Sequence, residues 1–134
     1  MSLEARATGE ARGSRRAPGD SAPACCPYYH EAVELIGRRW TGAIVAVLLE
    51  GGSMRFSEIA GAVPELSDRL LSERMKELEA RGVVTRHVDP GPPVKVLYEL
   101  TDMGRSLEPA LQELKSWARR WLRAEKQRSS AASL

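Results

Sequence analysis

The spacing of apolar positions along this chain changes several times, and each change marks a new element. Trp40, Ile44, Val47 and Leu48 recur at i, i+4, i+7 and i+8. That is the stripe of a core-facing helix, and Gly51-Gly52 stops it. Phe56, Ile59, Ala60 and Val63 predict a short helix closed by Pro64. After a tight turn, Ser67 is a good N-cap, Asp68 suits the positive end of a helix dipole, and Gly82 terminates a helix over 67–81. The period then drops to two. Residues 83–88 read as a strand, Asp89-Pro90-Gly91-Pro92-Pro93 turns the chain, and Val94, Val96, Tyr98 and Leu100 alternate along a returning strand. A last helix is expected from near Asp102 to about Lys126, kinked or divided at Pro109. At the other end, Pro27 suits a first helical position and opens a helix over 27–37.

The order is helix, helix, helix-turn-helix, β-hairpin, helix. It predicts a mainly α domain with a small β-hairpin (α+β), a winged helix-turn-helix, over 25–126. Residues 1–24 lack periodicity and are rich in Gly, Ala, Ser, Arg and Glu, so they read as a disordered tail. Residues 127–134 read as a flexible C-terminus.

On the helix over 67–81, steps of about 100° gather Leu70, Leu71, Met75 and Leu78 on one side. Arg69, Ser72, Glu73 and Lys76 fall opposite. In a helix-turn-helix the second helix enters the major groove of double-stranded DNA, its N-terminal part nearest the bases. Arg69 then suits guanine, Ser72 either base type, Lys76 a phosphate, and the helix start at Ser67 and Asp68 a further phosphate. Such a face can equally be plain solvated surface, and Glu73 opposes DNA unless it accepts from a cytosine. Arg86, His87 and Lys95 flank the tip of the hairpin, and Arg55 precedes the short helix; all four are candidate DNA contacts. Arg74 points inward and is expected to be structural, its guanidinium meeting a carboxylate such as Glu58.

The last helix carries a seam of near-heptad spacing at Leu107, Leu111, Leu114, Ala118 and Trp121, flanked by Trp117 and Leu122. A compact winged helix has little left to cover it, so a second subunit is expected there, with Tyr28, Tyr29 and Val33 of the first helix as the other half. The expected fold therefore dimerises through its first and last helices. A homodimer would present two reading helices to a pseudo-palindromic operator.

Composition adds bounds. With 134 residues and 43% apolar content the chain has room for one domain. A net charge of +2 says little about nucleic acid by itself. No secretory signal or bilayer-spanning run is visible, and the adjacent Cys25 and Cys26 make a poor disulfide framework, so a cytoplasmic protein without membrane contact is expected. No G-x-S-x-G, Walker A or His-Glu-x-x-His pattern occurs, and His30 and His87 lack partners in sequence. An enzyme, a metal and a cofactor are not expected. Two other readings stay open: a winged helix that binds protein rather than DNA, and a ligand sensor with Trp40, Tyr28 and Trp121 around its pocket.

Three groups of residues carry a family resemblance. The first is Cys26-Pro27 with Leu35-Ile36-Gly37, Trp40-Thr41 and Met54-Arg55-Phe56-Ser57-Glu58-Ile59. The second is 66–79 (LSDRLLSERMKELE) with Gly82-Val83-Val84. The third is Pro92-Pro93, Tyr98-Glu99-Leu100-Thr101 and Gly104. Over about 26–121 this resembles the HxlR-type bacterial regulators. The departures are Arg38-Arg39 before the tryptophan, Leu97 in place of an acidic residue, the long tail and the doubled cysteine. The resemblance implies a dimeric winged-helix transcription factor, repressor rather than activator, with its recognition helix on 67–81. It also permits an oxidant or small-molecule effector sensed through Cys26, which stands at a helix N-terminus where a thiolate is favoured. A vicinal Cys25–Cys26 disulfide would be strained, so an intersubunit bond is the preferred form.

Overall fold

The structure, a computed structural model, describes residues 26–132. The first element is the helix α1 (Pro27–Ile36), with Pro27 at its start. The chain divides into two compact units between Ala32 and Val33, and the winged-helix body is the second of them.

In that body α2 (Thr41–Gly51) is followed by a two-residue strand β1 (Met54–Arg55), then α3 (Phe56–Ala62) and α4 (Asp68–Ala80). The strands β2 (Val84–Asp89) and β3 (Lys95–Leu100) come next, then a single turn α5 (Asp102–Arg105) and the long α6 (Glu108–Ala132). Ile44, Val45 and Leu48 from α2 form the core with Ile59 from α3 and Leu71, Met75 and Leu78 from α4. Val63 and Leu66 from the α3–α4 turn, Val83, Val84 and Leu100 from the hairpin, and Leu111 from α6 complete it.

The hairpin is part of a three-stranded antiparallel sheet in the order β1-β3-β2. Met54 pairs with Tyr98 and Arg55 with Leu97, while the other edge of β3 pairs Val84 with Leu100 through to Asp89 with Lys95. The strand β1 was not expected: two residues are too few for a period to show. Its pairing ties the start of α3 to the wing.

Most boundaries follow the expected local chemistry. The Ser67 hydroxyl accepts the N–H of Leu70 at 3.1 Å and caps α4. Gly82 takes φ +79° just past the end of that helix, a conformation open to glycine. The division expected at Pro109 falls at 106–107, and Pro109 occupies the first turn of α6, where a missing N–H costs nothing. The end of α6 needs correction. The helix continues to Ala132 instead of stopping near Lys126, so the stretch read as a flexible C-terminus is helical as far as it is described. Residues 1–24 lie outside the described residues.

Trp40 is the one non-glycine with positive φ among the described residues, at 74°, immediately before α2. Such a backbone costs a bulky residue on the order of 1–3 kcal/mol. The indole is half-buried against the core, with the Arg39 guanidinium 5.6 Å from its ring centroid. No described helix is long and apolar enough to cross a membrane.

Candidate nucleic-acid interface

Helices α3 and α4 are joined by the turn at 63–67, whose Val63 and Leu66 are buried while Pro64 and Glu65 are exposed. Backbone bonds from Val63 N to the Ala60 oxygen (3.3 Å) and from Leu66 N to the Val63 oxygen (3.0 Å) close it. The turn is thereby fixed from both sides, and it sets how α4 leaves the body. On α4 the residues Leu71, Arg74, Met75 and Leu78 are buried. The opposite arc holds Arg69, Glu73 and Lys76, all exposed, and the half-buried Ser72. Ser67 and Asp68 are exposed at the N-terminus of the helix, where backbone N–H groups lack intrahelical partners. The polar face foreseen from periodicity is therefore open to solvent, with Ser72 alone half-buried. Arg69 has 91% of its side chain accessible, against 51% for Glu73.

Arg74 is structural, as expected, but its partner is a different one. Its Nε donates to the Arg39 carbonyl at 2.9 Å, and its Nη1 lies 3.5 Å from Glu77 Oε1. The other oxygen of Glu77 takes Arg38 Nη2 at 3.0 Å. Glu58 is used elsewhere: its Oε1 accepts the Arg55 N–H at 2.8 Å and caps α3. These contacts strap the loop between α1 and α2 onto the inner side of α4 and hold the pitch of the helix. Spacing gave no warning of them, because Arg38 and Glu77 stand 39 residues apart.

The sheet register sorts the remaining cations. Directly paired residues of an antiparallel sheet point to the same face. Arg55, Leu97 and His87 form one row across the three strands, and Lys95 shares that face two residues along β3. Arg86 pairs with Tyr98 and so points to the other face. The three candidates at the wing tip and the one before the short helix are thus divided three to one between the two faces. Arg55, Arg86 and His87 are exposed and Lys95 half-buried, and His87 Nδ1 lies 3.7 Å from Glu99 Oε1.

The seam expected on the last helix is also divided. Leu111 is buried in the chain's own core and Leu107 packs against it, so these two are not left over for a partner. The reason is that α6 packs against α2, and Leu111 is the residue it commits to the core there. Leu114, Trp117, Trp121 and Leu122 stay exposed at 55%, 52%, 53% and 45%, and Ala118 is half-buried between them. On α1, Tyr28, Tyr29 and Val33 are exposed as well. Cys26 is exposed and precedes α1; its sulfur stands in the capping position, with the Tyr29 N–H donating to Sγ at 3.5 Å. Cys25 lies outside the described residues.

Comparison with known proteins gives a consistent match. The HxlR-like helix-turn-helix family model matches residues 35–126. The HTH-type transcriptional regulator YvaP of Bacillus subtilis is 52% identical over 97 residues, covering 72% of this chain and 89% of YvaP. The regulator YodB of the same organism is 45% identical over 93 residues, 69% of this chain and 82% of YodB. The solved reduced form of YodB superposes with a TM-score of 0.68 at 43% identity, over 73% of this chain and 95% of that one. The redox regulator HypR in its oxidised form gives 0.64 at 36% identity, over 71% and 96%.

Proposed function

This chain belongs to the HxlR-like helix-turn-helix family and is a DNA-binding transcriptional regulator; we propose that it works as a homodimer, in the cytoplasm, by placing two copies of α4 in successive major grooves of an operator. The observation that carries this reading is the exposed arc of α4, capped at Ser67 and held from within by Arg74. In this arrangement Arg69 and Ser72 meet base edges, while Lys76 and the amides at Ser67 and Asp68 meet phosphates. Arg55, His87 and Lys95 follow the backbone on one face of the wing and Arg86 on the other. The partner subunit covers Leu114, Trp117, Ala118 and Trp121 of α6, together with Tyr28, Tyr29 and Val33. Two-fold symmetry then spaces the reading helices about one helical turn of DNA apart, roughly 34 Å. The sense of regulation proposed is repression, by occupancy of promoter DNA, and the activity is binding rather than catalysis.

The effector proposed is an oxidant or electrophile acting on Cys26. YodB has been solved in reduced, diamide-treated and quinone-bound forms, and HypR in reduced and oxidised forms. The exposed Cys26 at the start of α1 supports a thiol site for such an effector here.

Footprinting on the DNA flanking its own gene, with affinity followed against salt, tests the reading. Expected are a two-fold symmetric protected site and a log–log salt slope of several units. Affinity independent of salt, or a species that stays monomeric in sedimentation, would overturn it. For the effector, diamide is expected to weaken operator binding by wild type and leave Cys26→Ser unaffected. Equal, undiminished binding by both proteins with and without diamide would remove the idea.

A further inference from the structure

Glu73 is a carboxylate on the surface that α4 turns toward a polyanion. It is not idle there: its Oε2 lies 3.5 Å from Nε of Arg69, one helical turn earlier. The pair does little for the fold. Both side chains are well exposed, at 91% and 51%, and exposed ion pairs are weak. A cation N-terminal to its anion is also the less favourable order on a helix. What the contact does is geometric. A guanidinium carries five N–H donors in one plane. With Nε turned toward a carboxylate, the edge formed by Nη1 and Nη2 is not used by Glu73 and can meet another acceptor. That edge carries two parallel N–H bonds, the match for O6 and N7 of a guanine in the major groove.

Resting on the reading of α4 as the recognition helix, we propose that Glu73 is a specificity-determining residue: it holds Arg69 by Nε so that the outer edge of the guanidinium meets a guanine. A flexible arginine at this exposed position would pair as well with the nearest phosphate, which carries no sequence information. Glu73 opposes that alternative twice over. It occupies one side of the guanidinium, and its own charge disfavours a swing toward the backbone. The carboxylate thus trades general DNA affinity for choice among bases. Arg69 is the base-contacting group, and Glu73 acts through it. Because side chains on a helix lean toward its N-terminus, Glu73 reaches back to Arg69 without any change in the backbone.

Selection from a pool of randomised duplexes by the full chain, followed by sequencing, gives the base preferences of wild type, Glu73→Gln, Arg69→Ala and the double variant. Anisotropy titrations then compare the preferred duplex, the same duplex with its selected guanine replaced by 7-deazaguanine, and a scrambled duplex. Wild type is expected to favour the guanine duplex over the 7-deaza one by about tenfold. Glu73→Gln is expected to cut that ratio to less than about threefold while binding the scrambled duplex at least as tightly as wild type. In the Arg69→Ala background the Glu73 change should alter the ratio no further. Both positions are exposed, so melting temperatures confirm that the variants remain folded. If Arg69→Ala abolishes guanine preference and Glu73→Gln retains it, the buttress is refuted and the recognition helix stands. If Glu73→Gln erases a cytosine preference instead, Glu73 reads a base itself and the buttress is again refuted. If none of the variants changes any preference, the assignment of α4 falls and the buttress with it.

Discussion

Helices α4 and α6 are both amphipathic, but they end in opposite conditions. On α4 Leu71, Met75 and Leu78 are buried within the chain, Leu70 is half-buried against the core, and what remains exposed is polar apart from Ala80. Among the described residues of α6 only Leu111 is buried, while Leu114, Trp117, Trp121 and Leu122 face outward. A helix whose apolar side is fully used by its own chain offers hydrogen-bonding groups to whatever approaches. A helix with large apolar side chains left over offers a hydrophobic surface, which is worth most when a similar surface covers it. The contrast matches the two tasks proposed for this short chain: choosing a sequence and choosing a partner.

Leu71→Ala removes a fully buried side chain from the inner face of α4 and should lower the unfolding free energy by about 2–5 kcal/mol in urea denaturation. A loss under about 1 kcal/mol would mean that α4 is not seated in the core as described. Trp121→Glu, on the open face of α6, should cost little in the stability of the fold but weaken self-association by at least about 2 kcal/mol, read by sedimentation. An unchanged dimer constant would show that this face is not where subunits meet. Arg69→Ala should weaken binding to the selected site by roughly 1–3 kcal/mol and relax one base position. The smallest effect is expected from Lys95→Ala, which should weaken all duplexes alike and reduce the salt slope by about one unit. A sequence-dependent loss there would place base reading on the wing instead of on α4.

What could be read from the chain beforehand follows the same division. Features with a local cause were visible: Ser67 as a cap, Gly82 as a terminator, the strand alternation from Val94 to Leu100, and the polar arc of α4. Features that depend on distant residues were not. Arg74 plainly faced inward, yet its partners are a loop carbonyl at Arg39 and a carboxylate at Glu77, and no periodicity connects them. Glu58 was a reasonable candidate until the cap of α3 claimed it. Leu107 and Leu111 fitted a partner-facing seam because heptad spacing cannot say which of its apolar residues the chain's own body will take up. The wing cations looked like one group because a linear sequence does not show which face a strand residue takes. Register alone sends Arg86 away from His87 and Lys95. Trp40 gave no sign of a left-handed backbone, which a tryptophan adopts only where the surrounding structure compels it.

Thr101 links the regions compared above. Its hydroxyl donates to the Gly82 carbonyl at 2.6 Å, beyond the end of α4, and accepts the Gly104 N–H at 3.2 Å, within α5. Its own N–H donates to the Val83 carbonyl at 3.0 Å. One small side chain is therefore the pivot pin between the rod of α4, the hairpin and the arm that follows. Any tilt of that arm has its fulcrum one hydrogen bond away from the rod's trailing end.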